Sequence, residues 1–301
     1  MTITLARLAT EFLERRGLSQ STQRSYEFTL MPLLAQYGRW PIEIVSRQVL
    51  SEYLEGLTHL SITTHHRHQA IIQALFNFAV EQGYLTVNPI AGIKRRKSDP
   101  ERGEHDTDQV VRYLSEGQLE VLYELMVDDT RLHAIVRLLH RTGARIGELL
   151  ALDLEQVDLA ERKFQVVGKG NKRRWCFYSE DAAIALNKYI RYERDAGIQA
   201  LFTAQHPFTG RVTRLSYRRV HKCWSDKIAS ISALKGIRLH DLRHTFATER
   251  VGLMALEELR ALMGHQNIQT TLRYQKVTSL RAEEVAHKAL NILTNSETNS
   301  R

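Results

Sequence analysis

Cysteine is nearly missing from this chain, and its scarcity removes two classes of protein at once. The two that occur in 301 residues, Cys176 and Cys223, are far apart and form neither a disulfide framework nor a metal-ligand set. This suits a reducing compartment and leaves both thiols to packing. Also missing is any apolar run of the ~20 residues needed to cross a bilayer. The first residues, MTITLARLATEFLERR, read as an amphipathic helix and not as a secretory signal. There is no internal repeat, and the polar end, 294–301, is expected to be disordered. Charge of one sign is not dominant either: Lys+Arg 42 against Asp+Glu 34 leaves +8, enough to attract a polyanion but not to say which. The expectation is a soluble cytoplasmic protein. At this length it has room for two domains and a core that needs no staples.

Helical spacing fills the first hundred residues. Leu5, Leu8, Phe12 and Leu13 make one apolar stripe, Tyr26, Leu30, Leu33 and Leu34 a second, Val49, Tyr53, Leu54 and Leu57 a third. A fourth helix, started by Thr63 or Thr64, carries Ile71, Ile72, Leu75, Phe76 and Phe78 to Gly83, and Asn88-Pro89 stops it. Ser21 is the expected N-cap of the second helix. The string KRRKSDPERGEHDTD (94–108) then lacks any apolar residue and reads as an exposed linker. We expect a helical domain over 1–98, a linker over 99–112 and a second domain over 113–301. In the second domain, helices are expected at 116–126, 132–139, 181–192, 217–228 and from 242 onward. Alternation at 163–167 and 174–178 around GKGNK predicts one β-hairpin and hence one small sheet.

Six scattered residues carry chemistry. Breaking a phosphodiester requires neutralising its non-bridging oxygens, supplying a nucleophile and protonating a poor leaving group. Arg145, just after Gly143, can grip a phosphate with its fork, and Glu148 one turn on can fix that fork. His240 and Arg243, three apart at a helix start, share a face. Gly264-His265 adds a histidine at a helix end. Tyr274, nine residues further, sits among Gln269, Thr270, Thr271, Arg273 and Gln275, a setting in which an exposed tyrosine is expected. Lys169 stands at the hairpin tip, where a long flexible amine can reach a leaving oxygen. Each residue alone has a bland reading: a surface arginine, a cap, a solvated lysine, a tyrosine covering a helix. His244, four residues after His240, suggests a metal pair, but HDLRH lacks the glutamate of the H-E-x-x-H zinc motif and no third ligand is evident. His244 is read as a residue that packs or that supports its catalytic neighbours.

Taken together, TGARIGELLAL (142–152), GKGNK (168–172), HDLRHTFAT (240–248) and LMGHQNIQTTLRYQKV (262–277) resemble the tyrosine recombinase (phage integrase) family. The resemblance runs from Ser21 to about Val285. It implies a mainly α fold with a small β-sheet: a helical N-terminal core-binding (SAM-like) domain and a mixed α/β catalytic domain, forming a C-shaped clamp on double-stranded DNA. It further implies that Tyr274 attacks the phosphate to leave a 3′-phosphotyrosine and a free 5′-OH, with no cofactor, metal or ATP. Arg145, Arg243 and His265 would stabilise the transition state, His240 would be the general base and Lys169 the acid. Phosphate contacts are expected from Arg95, Arg96, Lys97, Lys172, Arg173 and Arg174. The family implies a homo-tetramer on two sites, Holliday-junction exchange and nucleoid association. The apolar face of 282–293 (Val285, Ala289, Ile292, Leu293) suits docking on a neighbouring protomer, with packing in cis as the competitor. Integration or excision of a mobile element, resolution and chromosome-dimer unlinking share these residues. A type IB topoisomerase or telomere resolvase would use a similar set, and a DNA-binding regulator could keep the fold without catalysis.

Overall fold

The computed structural model describes residues 3–99, 101, 111–168 and 171–275. The chain divides into two compact units, Met1–Gln109 and Val110–Arg301.

The first unit is built from four helices: α1 (Leu5–Glu14), α2 (Gln20–Tyr37), α3 (Arg47–Gly56) and α4 (Ile62–Glu81). Each start is fixed by a hydroxyl that accepts from a backbone N–H of the first turn: Thr4 from Arg7, Ser19 from Thr22, Ser46 from Val49 and Ser61 from Thr64. Ser19, not the expected Ser21, therefore caps α2, and α4 starts at Ile62, capped by Ser61, ahead of the expected Thr63 or Thr64. The apolar stripes meet as predicted in one core that contains Leu5, Leu8, Phe12, Leu30, Leu33, Leu50, Leu54, Ile72, Leu75 and Phe76. Each such side chain contributes about 1.5–3 kcal/mol by leaving water. Arg95 and Lys97 are exposed. Arg96 departs from its expected use, because its guanidinium donates to the carbonyls of Thr58 (3.0 Å) and Leu60 (3.2 Å) and ties the end of this unit to the α3–α4 turn.

The second unit carries the site. Its helices are α5 (Glu116–Met126), α6 (Thr130–Thr142), α7 (Ile146–Leu150), α8 (Glu180–Tyr192), α9 (Tyr217–Ile228), α10 (Leu239–Arg250), α11 (Leu256–Met263) and α12 (Gln269–Leu272). The expected hairpin is present as β2 (Lys163–Val167) and β3 (Arg173–Phe177), antiparallel with Gln165 opposite Trp175. Two features exceed the expectation of one two-stranded sheet. A two-residue strand β1 (Val157–Asp158) pairs with β2, and a separate hairpin joins β4 (Thr203–Gln205) to β5 (Val212–Arg214). Strands of two or three residues are too short to show alternation. The helix expected from 242 onward is also broken, into α10, α11 and α12.

A large core joins α5, α6, α8, α9 and the inner face of β2 and β3 through Leu122, Leu138, Phe164, Cys176, Leu186 and Trp224. A smaller cluster of Val111, Phe246, Ala247, Leu259, Met263 and Tyr274 holds α10 against α11. Val111 in that cluster, and Arg112 bonded to the Gly236 carbonyl, belong to this unit rather than to the expected 99–112 linker, most of which lies outside the described residues.

Candidate active site

Two left-handed glycines bring the chemistry-bearing segments together. α6 ends at Gly143 (φ 62°), whose N–H caps Leu139, and the turn delivers Arg145 as the N-cap of α7. α11 ends at Gly264 (φ 62°), which presents His265 immediately after it. A residue with a Cβ is strained at such a φ. At Gly143 a Cβ would in addition collide with the Phe246 ring on α10. We expect Gly143→Ala to lose about 1–3 kcal/mol of stability and to misplace Arg145; chemical denaturation with a parallel activity assay checks both.

Arg243 is the centre of the site. It is 2% exposed, and its fork donates to the carbonyls of Gly143 and Met263 and approaches His265 Nε2 at 3.1 Å. One side chain thus spans the α6–α7 turn and the end of α11. Its partners among the described residues are two carbonyls and an imidazole, so the cation is buried with no carboxylate bonded to it. Burial, then Arg145 and Arg174, push its pKa down to about 10, which still leaves it charged at neutral pH. An anion in front of it would be strongly favoured.

Arg145, His240, Arg243, His244, His265 and Tyr274 line one cavity of about 170 Å³. Five of the six residues singled out in the sequence are therefore brought together, and His244, expected to pack or to support them, joins them in the cavity lining. Lys169 lies outside the described residues, as does the 282–293 segment. His265 accepts from Arg243 through Nε2 and contacts Thr271 Oγ1 through Nδ1 at 2.9 Å, the pattern of a neutral ring that donates from Nδ1.

Tyr274 corrects the expectation of an exposed tyrosine: it is 3% exposed. Its ring lies parallel to His265 at 6.3 Å between centroids, and its hydroxyl is 2.9 Å from His244 Nδ1. Of the polar residues around it, Gln269, Thr270 and Gln275 are exposed, whereas Thr271 is buried with it and bonded to His265. Burial raises the phenol pKa, against the opposing pull of Arg243, Arg273 and Arg145.

The three histidines are held neutral. Burial, followed by neighbouring positive charge, takes His265 down to about 3 and His244 to about 4, and lowers His240 as well. His240 is exposed and lines the cavity. For all three the unfolded chain takes up protons near 6.5 while the folded one does not, so stability is complete above 6.5 and falls as the pH drops toward 4. The melting temperature of the free protein should decline over that window, as calorimetry at pH 7 and pH 4.5 will show.

Glu148 fixes Arg145, accepting from its Nη1 (2.9 Å) and its backbone N–H (2.8 Å). The same carboxylate takes a two-pronged bond from Arg174 (2.9 and 2.6 Å). Burial alone would raise its pKa; hydrogen bonds from Arg174 and Arg145 outweigh it and hold Glu148 at about 2. Arg174, expected to contact phosphate, is only 10% exposed and also donates to the Leu262 carbonyl (2.9 Å). These bonds tie β3 to α7 and the end of α11. Lys172 and Arg173 are exposed, and with Arg145, Arg174 and Arg260 they line an adjoining basic cleft of about 450 Å³.

A buried arginine facing a small cavity, a second arginine held by a carboxylate, neutral histidines and a tyrosine form a set that could bind and attack an anionic ester. Residues 112–281 match the phage integrase family. A tyrosine recombinase, XerC, of Vibrio parahaemolyticus is 31% identical over 88% of this chain and 85% of its own length. The XerC of Haemophilus influenzae is 31% identical over 72% of each. Among solved structures, the Tn1549 transposon integrase in complex with circular intermediate DNA matches with TM-score 0.71 over 96% of this chain and all of that one, at 21% identity. A lambda integrase dimer bound to a COC′ core site matches with TM-score 0.70 over 90% and 95%, at 17% identity. The two structures share the mainly helical fold. The chain belongs to the phage integrase family, and its activity class is that of a tyrosine site-specific recombinase.

Proposed function

We propose that this protein breaks and rejoins double-stranded DNA at specific sites by way of a covalent phosphotyrosine. The observation that carries this reading is the buried Arg243 cation, bonded to carbonyls and a neutral imidazole, in the same cavity as the Tyr274 hydroxyl. A phosphodiester placed there would supply the missing negative charge. Arg145 and Arg243 would grip its non-bridging oxygens, and their charge would grow in value as the pentavalent transition state gathers negative charge. His265 would hold the Arg243 fork and the Tyr274 ring in register. As folded it accepts from Arg243, so a direct bond from its Nε2 to phosphate requires that ring to gain a proton as the anion arrives.

Tyr274 Oη would attack phosphorus, the bond to the 5′ oxygen would break, and Lys169 would protonate that oxygen. The products are a 3′-phosphotyrosine and a 5′-OH. A 5′-OH from a partner strand would reverse the step, and two rounds through a Holliday junction would exchange strands. The energy of the broken bond stays in the phosphotyrosine, so the reaction needs no ATP. DNA as partner is supported by the complexes of the Tn1549 and lambda integrases. Lys172 and Arg173, with Arg95 and Lys97 of the first unit, are our candidates for phosphate contacts, which makes affinity fall steeply with salt. A clamp on DNA, a tetramer on two sites and docking of 282–293 on a neighbour belong to the same proposal. So do nucleoid association and a role in moving or resolving a mobile element.

The test uses duplex DNA from around the protein's own gene, nicked close to candidate cleavage positions so that the short released strand diffuses away. Incubated in chelator without ATP, wild type should accumulate a protein–DNA adduct that survives a denaturing gel. Tight binding with no adduct from wild type would replace this reading with that of a DNA-binding regulator.

A further inference from the structure

We infer that His244 is the catalytic residue that receives the proton of Tyr274, a role the family resemblance gives to His240. This rests on the strand-cleavage reading above and names the proton's path within it.

The geometry is direct. His244 Nδ1 stands 2.9 Å from Tyr274 Oη, within the reach a general base needs. His244 follows Arg243 on α10, and the buried Arg243 anchors that turn on two sides. The base therefore rides on the same rigid element as the phosphate clamp. His240 meets the His244 ring edge-on at 4.7 Å, and it is exposed while lining the same cavity. It is placed to meet DNA or to relay a proton outward from His244.

The charge environment keeps His244 unprotonated. Facing it are His240, Asp241 and Arg238 from its own helix, and Arg273, Tyr274 and His265 from the segment after α11. Burial and the cations outweigh Asp241, so at neutral pH one ring nitrogen is a free acceptor. With the ring proton on Nε2, Nδ1 accepts from Tyr274. In the empty site, transfer from phenol to imidazole runs uphill. An arriving phosphate brings negative charge into the cavity that His244 lines and raises the basicity of the ring. The phenolate is consumed as the Oη–P bond forms, so transfer accompanies attack. Written out, Oη–P forms, P–O5′ breaks, the Oη proton moves to His244 Nδ1, and the leaving O5′ takes a proton from Lys169. On religation His244 returns its proton to Oη.

The experiment compares His244→Asn with wild type, His240→Asn, Lys169→Ala and Tyr274→Phe on nicked DNA. One substrate carries an ordinary 5′ oxygen and the other a 5′-bridging sulfur, whose thiolate leaves without an acid. Asparagine can still hold a hydrogen bond to Tyr274 but cannot take a proton. Its adduct formation should fall about 10²–10⁴-fold, sulfur should not restore it, and its rate should climb with pH as hydroxide replaces the base. Lys169→Ala should be restored by sulfur, and His240→Asn should lose less than His244→Asn. His244→Gln serves as the second variant should the first be unstable. Near-wild-type rate and pH profile in a folded His244 variant, or rescue of it by sulfur, would overturn the inference. An adduct formed by Tyr274→Phe would instead overturn the phosphotyrosine reading itself.

Discussion

Tyr274→Phe is expected to bind DNA as tightly as wild type and to cleave none of it. Loss of a covalent nucleophile leaves nothing for the arginines to assist, so the rate should fall on the order of 10⁶-fold, to background. The folded state should hardly notice. Phenylalanine keeps the stack on His265 and the contacts with Phe246 and Met263, and it forgoes only the bond to His244. A net hydrogen bond is worth about 1 kcal/mol, so the melting temperature should move by a few degrees at most. Single-turnover cleavage on nicked DNA, run beside a binding titration and a thermal melt, separates chemistry from folding. A variant that cleaves at even a hundredth of the wild-type rate would remove Tyr274 from the reaction.

Glu148→Ala should have the largest effect on stability. Its carboxylate is 8% exposed and serves two guanidinium groups, of which Arg174 is 10% exposed. Truncation leaves Arg174 as an uncompensated, largely buried cation. Breaking such a pair costs about 3–5 kcal/mol, which in a unit of this size lowers the melting temperature by roughly 6–20 °C. Activity should drop as well, because Arg145 loses both bonds that fix it at the start of α7. Two controls sharpen the point. Glu148→Gln retains an acceptor and should fall between wild type and alanine. Adding Arg174→Met to Glu148→Ala removes the stranded charge and should recover much of the stability but not the activity. If the double variant is no more stable than the single one, the loss is not electrostatic.

The helical parts of this protein were legible where a stripe runs over three turns and both ends carry signals. The sequence places 116–126 and 217–228 at the bounds the structure shows, because Ser115 and Ser216 cap them and apolar residues recur at helical spacing between. β1 and the β4–β5 pair left no trace, being two or three residues long and so too short to show alternation. Segments that assemble a site do so through tertiary contacts, and there the reading was mixed. Arg145, Arg243 and His265 were found because an ordered set of rare residue types resembles a family. The partners of Arg174 and His244 were not legible in the sequence, for one reason. An arginine in a basic run looks solvated until Glu148 is seen beside it, and a histidine on a helix looks like packing until Tyr274 folds back onto it. The burial of Tyr274 has the same origin. Its neighbours in sequence are polar, but its neighbours in space are Phe246, Met263, His244 and His265.

The most direct test of the account is to identify the linkage in the covalent adduct. Wild-type protein trapped on nicked DNA would be digested with protease and nuclease, and the modified peptide sequenced by mass spectrometry. The account predicts a nucleotide joined through its 3′-phosphate to Tyr274, with a free 5′-OH on the released strand. Attachment to any other residue, or linkage through a 5′-phosphate, would contradict it.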